Sequence, residues 1–126
     1  MDKPIKIFIV DHSDVLRKML ANILSSDPEI EFVGESPSVK TALLTLDEYS
    51  PDMIMITVGP SDDLAVGDVY KQFKAIMPGI HIILCIAIKD VGSMTPQVHA
   101  VGADFVTIPF NKNIVLKAIK DHINRA

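Results

Sequence analysis

The stretch "PDMIMITVGP", residues 51–60, decides the fold class. Its apolar run, residues 53–56, lies between a Ser-Pro turn signal and a Gly-Pro pair that ends regular structure. A short apolar run with such borders is typical of a strand that is covered on both faces of a parallel sheet. The predicted strand ends in a hydroxyl group, Thr57, at the sheet edge where ligands and reactive groups collect in open α/β folds.

The composition indicates one domain of ordinary size. The chain has 126 residues, of which 48% are hydrophobic, and this is enough to form a buried core. We therefore expect residues 1–126 to form a single domain, with no output domain. The net charge of -4 argues against a nucleic-acid partner, since such proteins carry a strongly basic surface.

The sequence also bears on where the protein is located. Cys85 is the only cysteine, which excludes an internal disulfide framework and a thiolate metal cluster. The apolar stretch near the amino terminus is too short for a signal peptide. No run of about 18 apolar residues, the length that spans a bilayer, occurs in the sequence. These features predict a cytoplasmic protein without membrane contact.

Apolar runs alternate along the chain with segments of helical periodicity. Runs rich in isoleucine, valine and phenylalanine predict five strands, at residues 5–10, 30–35, 52–57, 81–87 and 104–108. Apolar residues at spacings of three and four predict a helix after each strand, and Ser13 is positioned to cap the first one. After the fourth strand we expect only a short helix, capped by Thr95, with Pro96 in its first turn and its end near Val101.

The strict alternation of strands and helices predicts the fold class. Parallel strands joined by right-handed crossovers place helices on both faces of one sheet. The sequence therefore predicts an α/β fold, a three-layer sandwich built on a five-stranded parallel sheet. No internal repeat and no Gly-rich or Ser-rich linker interrupts the pattern.

Five segments resemble a known family. They are, in order, "IFIVDHSDVLRKMLANIL", "EFVGES", "SPDMIMITVGP", "IILCIA" and "GADFVTIPF". Over essentially the whole chain they resemble the CheY-like receiver domains of two-component response regulators. The resemblance implies a flavodoxin-like strand order, 2-1-3-4-5, which brings the carboxyl ends of the first and third strands together. Asp11 and Thr57 are therefore expected to be neighbours.

The resemblance also implies chemical roles at this edge of the sheet. A receiver accepts a phosphoryl group on an aspartate, holds Mg²⁺ with an acidic pair, and responds through a hydroxyl, an aromatic ring and a lysine. The corresponding residues are Thr57 for the aspartate, Asp11 and His12 for the acidic pair, Ile86 for the hydroxyl, Phe105 for the aromatic ring and Ile108 for the lysine. A register slip of one residue would put Cys85 at the hydroxyl position. The acceptor, the second acid, the hydroxyl and the lysine are thus replaced.

These replacements predict a degenerate receiver, or pseudo-receiver, that acts by protein–protein interaction without phosphorylation. We expect no cofactor and no catalytic residue, and Mg²⁺ binding that is weak or absent. Burial of the Ile86 and Ile108 side chains would hold the domain in one state. In addition, no cation remains at the lysine position to bind a phosphoryl group, so no ligand would favour the other state.

Analogy with the family also predicts a partner face. It consists of the fourth helix, the fifth strand near Phe105, and the last helix with Lys112, Lys117 and Lys120. The expected partner is a protein, such as a histidine kinase or another signalling protein, and the chain is expected to be a monomer or a weak dimer.

Three polar residues have alternative interpretations. We expect Thr57 to bond a local backbone group, with a kinase phosphorylation site as the alternative. We expect Asp11 to be a partly exposed carboxylate that caps or pairs locally, with a metal ligand or a surrogate phosphate acceptor as alternatives. We expect His12 to be a hydrogen-bonded structural residue, with a proton sensor or a metal ligand as alternatives.

Two rival functions also follow from the sequence. The first is an atypical receiver that is still phosphorylated, or binds metal, through Asp11. The second is a small-ligand-binding α/β domain that uses the loop at residues 59–67, which departs from the family pattern; Asp62 and Asp63 in this loop argue against an anionic ligand. A hydrolase is not predicted, because no nucleophile lies in a strained elbow.

Overall fold

The computed structural model describes residues 3–125. These residues contain five β-strands: β1 (Ile5–Val10), β2 (Ile30–Ser36), β3 (Met53–Thr57), β4 (His81–Ala87) and β5 (Asp104–Ile108). They also contain five α-helices: α1 (Asp14–Ser25), α2 (Val39–Tyr49), α3 (Val66–Ile76), α4 (Val91–Val101) and α5 (Lys112–Arg125). A short 3-10 turn, Ile88–Asp90, joins β4 to α4.

The strands form one parallel sheet in the order β2-β1-β3-β4-β5. This is the strand order that the family resemblance implies, and the prediction is confirmed. The order reverses direction between β1 and β3, so that the chain segments after Val10 and Thr57 leave the sheet side by side. This switch point is where open α/β folds place their functional sites.

Two apolar layers cover the two faces of the sheet. Helices α2, α3 and α4 pack on one face through buried residues such as Leu46, Phe73 and Val98. Helices α1 and α5 pack on the other face through Leu24 and Ile119. The central strands are buried on both faces, which explains why β3 reads as a continuous apolar run rather than as an alternating one. Among the helices of residues 3–125, none is both long and apolar enough to cross a membrane.

The predicted strands agree with the observed ones to within one residue at each end. Ser13 caps α1 as expected, because its hydroxyl accepts a hydrogen bond from the backbone N–H of Leu16 at 3.2 Å. The prediction for the fourth helix was wrong at its start. Helix α4 begins at Val91, directly after the 3-10 turn, and not at a Thr95 cap.

Both residues chosen for that helix start lie inside α4. The Thr95 hydroxyl donates a hydrogen bond to the backbone oxygen of Val91, one turn earlier, at 2.7 Å. Pro96 lies in the second turn of the helix, where its missing N–H removes one intrahelical hydrogen bond. The helix ends as expected near Val101, and Gly102 follows in the left-handed region with φ 65°.

Histidine side chains join β4, β5 and α5 at the amino-terminal edge of the sheet. His122 Nδ1 donates to Asp104 Oδ2 at 2.6 Å, and His122 Nε2 lies at hydrogen-bonding distance, 3.2 Å, from His81 Nδ1. Arg125 Nη2 donates to the same Asp104 oxygen at 2.5 Å. Burial, and then the nearby positive charges of His122 and Lys74, lower the pKa of His81 from its ordinary value. The neutral form of the His81 ring is thus favoured.

We expect the free energy of unfolding to fall as the pH is lowered from about 7.5 to 5.5. The pKa of His81 in the folded protein lies below the ordinary value of 6.5. As the pH falls through 6.5, the unfolded chain therefore binds a proton at His81 before the folded protein does, and the free energy of unfolding decreases. The lowered pKa of Asp104 changes the free energy of unfolding only below pH 3.8, which lies outside this pH range. The free energy of unfolding should change by at most roughly 1.4 kcal/mol per pH unit, which corresponds to the uptake of about one proton.

Urea denaturation of His81→Gln at several pH values checks this expectation, and the variant should have a flatter slope. His99→Gln, which changes an exposed histidine on α4, is the matched control and should keep the slope of the unmodified protein. Equal slopes in all three proteins would contradict the assignment to His81.

Candidate functional site

Thr57 and Asp11 meet at the switch point of the sheet. Val10 and Ile56 are register partners on β1 and β3, so the next residue of each strand lies at the same edge. The Thr57 hydroxyl donates a hydrogen bond to Asp11 Oδ2 at 2.5 Å. The expectation that they are neighbours is confirmed, but the expectation of a local backbone partner for Thr57 was wrong. The adjacent carboxylate, 46 positions away in sequence, is the partner.

Asp11 is a buried carboxylate with both oxygens engaged. The residue is 2% exposed. Its second oxygen, Oδ1, accepts from the backbone N–H of Ser13 at 2.7 Å. The expectation of a local cap is therefore met, whereas the expectation of partial exposure was wrong. The backbone N–H of Asp11 also donates to the Ser36 carbonyl at 3.1 Å, which ties the residue to the end of β2.

Arg17 binds the backbone of Asp11, and sequence reasoning missed this contact. Its Nη1 donates to the backbone oxygen of Asp11 at 2.5 Å, and its Nε donates to Glu35 Oε1 at 2.7 Å. It also forms an ion pair with Asp14, one turn earlier on α1. The Glu35 hydrogen bond and the Asp14 charge raise the pKa of Arg17 above its ordinary value. The spacing of three between Asp14 and Arg17 was the available signal in the sequence.

His12 turns away from the carboxylate beside it. Its side chain is 86% exposed, and its Nδ1 is 3.9 Å from Asp11 Oδ1, beyond hydrogen-bonding distance. Within residues 3–125 it forms no hydrogen bond, so the expectation of a hydrogen-bonded structural role was wrong. The backbone turns outward after Asp11 to begin α1, and this turn carries the imidazole into solvent.

Cys85, and not Ile86, contacts Thr57. Cys85 is the register partner of Thr57, and the thiol lies close enough to Thr57 and Asp11 for both to affect its pKa. Burial, together with the negative charge of Asp11, raises the pKa of the Cys85 thiol to about 12, which makes it chemically inert near neutral pH. Ile86 points to the opposite face of the sheet and is fully buried in the layer under α3 and α4.

The remaining family positions lie on β5. Ile108 is partly buried against the layer under α1 and α5, and its peptide bond to Pro109 is cis. Phe105 is 38% exposed at the edge of the sheet. Ile86 and Ile108 therefore lie in the two different apolar layers, on opposite faces of the sheet, and do not contribute to one shared pocket.

The lysines of the predicted partner face differ in their contacts. Lys112 and Lys117 are exposed, and Lys117 pairs with Asp121 on the next turn of α5 at 2.6 Å. Lys120 instead turns toward the α1–β2 connection and pairs with Asp27 at 2.8 Å. That pairing lowers the pKa of the Asp27 carboxyl from its ordinary value. Lys120 is thus engaged in an ion pair with the α1–β2 connection, although 41% of its side chain is exposed.

A cavity of about 750 Å³ opens beside Asp11 and Thr57. It lies between the start of α2 and the loop that connects β3 to α3, the segment with the unusual spacing. Sequence reasoning placed a rival ligand site in this loop but could not anticipate the cavity, because its shape depends on the path of the loop relative to α2.

Comparison with known proteins identifies the family. The chemotaxis protein CheY of Halobacterium salinarum is 32% identical to this chain over 118 residues, which cover 92% of the chain and 94% of that protein. The chain belongs to the CheY-like family of response-regulator receiver domains. The CheY protein of Bacillus subtilis is 30% identical over 121 residues and is covered to 98% by this receiver. A scan against family models matched none of them.

Solved receiver structures share the fold of this receiver. The response-regulator domain of Thermotoga maritima CheB superposes with a TM-score of 0.79 at 23% identity, over 97% of this chain and 98% of that one. The signal receiver domain of a modulated diguanylate cyclase from Desulfovibrio desulfuricans gives a TM-score of 0.80 at 17% identity, over 98% of this chain. At these identities the similarity establishes the fold alone.

The residues at the switch point do not fit the Mg²⁺ ion that the receiver family implies. Mg²⁺ requires a near-octahedral shell of oxygen ligands. This receiver offers one buried carboxylate, Asp11, whose two oxygens already accept hydrogen bonds from Ser13 and Thr57. Among residues 3–125 no group of three or more His, Cys, Asp or Glu side chains is placed to hold a metal ion. Weak or absent Mg²⁺ binding remains a prediction.

Replacing Thr57 with valine should destabilise this receiver by about 1–3 kcal/mol, because the buried Asp11 Oδ2 would lose its donor. Thr57→Ser keeps the hydroxyl and is the matched control, with an expected loss below about 1 kcal/mol. Urea denaturation at neutral pH measures both values. A valine variant as stable as the serine variant would mean that the Thr57–Asp11 hydrogen bond does not support the fold.

Proposed function

We propose that this receiver is a pseudo-receiver, which acts in two-component signalling through protein contacts and without phosphorylation. The observation that carries the proposal is the hydrogen bond from Thr57, at the acceptor position, to the buried carboxylate of Asp11. A receiver with an acceptor aspartate keeps two or more carboxylates here and needs a cation to hold them together. In this receiver an internal hydrogen bond occupies the same space.

The chemistry of Thr57 supports the proposal. A threonine hydroxyl is a weak nucleophile near neutral pH. The second acidic residue that would hold a divalent cation is replaced by His12, and the lysine is replaced by Ile108, so neither positive charge is expected to assist the reaction. Asp11 is no better as a surrogate acceptor, because it is buried and both its oxygens are hydrogen-bonded. These features favour a pseudo-receiver over an atypical receiver that is phosphorylated through Asp11.

The proposal also covers the organisation of the protein. We place the chain in the cytoplasm, as a single receiver domain without catalytic activity, and as a monomer or a weak dimer. Its partner would be a histidine kinase or another signalling protein. The proposed contact surface, called here the β5–α5 face, consists of Phe105, Lys112 and Lys117 and leaves out Lys120, which pairs with Asp27.

The test of phosphorylation independence is a titration with Mg²⁺ and then beryllofluoride, a phosphoryl mimic, followed by NMR of the backbone amides. We expect no saturable shifts at residues 11, 57, 86 and 108, because the carboxylate pair and the lysine that bind these ions are replaced. A receiver that keeps the acceptor aspartate serves as the positive control. Saturable shifts at these positions in this receiver would overturn the proposal.

Charge reversal tests the β5–α5 face. Lys112→Glu combined with Lys117→Glu should weaken binding to a protein partner isolated with the unmodified receiver by about three- to tenfold, the usual range for exposed charges at an interface. Binding is measured by calorimetry with the purified partner. The control pair, Lys71→Glu with Lys18→Glu, makes the same charge change on the exposed surfaces of α3 and α1. Equal weakening by both pairs, or none by either, would exclude this face.

A further inference from the structure

The cavity beside Asp11 and Thr57 has the size of a small-molecule site. Its volume of about 750 Å³ lies within the range of about 300–1,000 Å³ that is usual for ligand pockets. It opens at the switch point of the sheet, where α/β folds bind ligands.

The walls of the cavity are mainly apolar. Helix α2 contributes Leu43 and Leu44, and the β3–α3 connection contributes Val58 and Leu64. Two of these side chains are unusually accessible for leucine: Leu44 is 78% exposed and Leu64 is 37% exposed. Apolar side chains from two separate elements thus border one opening, and an apolar group placed between them would remove both from water.

The charged groups at the cavity are mostly negative. Three carboxylates line it, Asp11, Asp62 and Asp63, against one ammonium group, Lys40. Asp62 Oδ2 accepts from the backbone N–H of Gly59 at 2.8 Å and so holds the loop in shape. Asp63 is exposed and forms no hydrogen bond or ion pair within residues 3–125. One carboxylate at the mouth of the cavity is therefore available to a ligand.

We propose that this cavity binds a small amphipathic cation, with an aromatic or branched aliphatic body between α2 and the β3–α3 loop and an ammonium group at Asp63. The apolar walls would contact the apolar body of the ligand, and the excess of carboxylates would favour its positive charge. Phosphates and other anions are repelled by the same carboxylates. This inference goes beyond the proposed function and does not depend on it.

An NMR titration with three probes of matched shape tests the inference. 2-Phenylethylamine carries a positive charge, 2-phenylethanol is neutral and 3-phenylpropionate is negative. We expect saturable shifts at the amides of Leu43, Val58 and Leu64, with the cation bound most tightly and the anion at least about tenfold more weakly than the cation. Saturation is followed up to the solubility limit of each probe, without Mg²⁺ or beryllofluoride.

Two variants assign the groups that bind. Asp63→Asn should weaken binding of 2-phenylethylamine by about three- to fivefold and leave binding of 2-phenylethanol unchanged. Leu64→Ser should weaken binding of both probes. Asp47→Asn makes the same charge change in the last turn of α2 and is the matched control, with no expected effect.

Three results would overturn the inference: no saturable shifts at the cavity, equal affinity for the three probes, or an equal effect of Asp63→Asn and Asp47→Asn. Because these measurements use no phosphoryl mimic, their failure would leave the proposal of phosphorylation independence unaffected. Conversely, beryllofluoride binding would overturn that proposal while leaving the probe series to decide on the cavity.

Discussion

The hydrogen bond between Thr57 and Asp11 is the contact on which the functional edge of this receiver depends. It joins the ends of β1 and β3, the two strands at which the sheet order reverses. The same carboxylate accepts from Ser13, which caps α1, and Arg17 binds the backbone of Asp11 from the next turn of that helix. One buried acidic group thus connects two strands and a helix, and removal of its donor would leave it unsatisfied.

In the proposed function, an internal hydrogen bond stabilises this edge, whereas a phosphoryl group and Mg²⁺ stabilise it in a phosphorylated receiver. A phosphoryl group and Mg²⁺ shift a receiver between states because they bind the two states with different affinity. Here the buried Ile86 and the inert thiol of Cys85 contribute no charge to the edge. Under the proposed function, a phosphoryl group and Mg²⁺ no longer distinguish the two states, so these two ligands leave the free energies of those states unchanged. The receiver would then act through its partner contacts.

The sequence predicted the fold well and the site in part. The strands were predicted to within one residue because each apolar run has turn residues at its borders, and the family resemblance supplied the strand order. The start of α4 was missed because Pro96 suggests a first turn, whereas the preceding 3-10 turn starts the helix earlier. The engagement of Lys120 with Asp27 and the cavity beside α2 depend on distances between elements, which periodicity does not encode.

We propose that internal contacts hold the functional edge of this receiver in one state. NMR relaxation dispersion measures it most directly, because exchange between receiver states occurs on the microsecond to millisecond timescale. We expect flat dispersion profiles for the amides of β4, α4 and β5, with and without Mg²⁺ and beryllofluoride. Dispersion at residues 57, 86 and 105 with one common exchange rate would contradict it, since it would show a second state that a ligand could select.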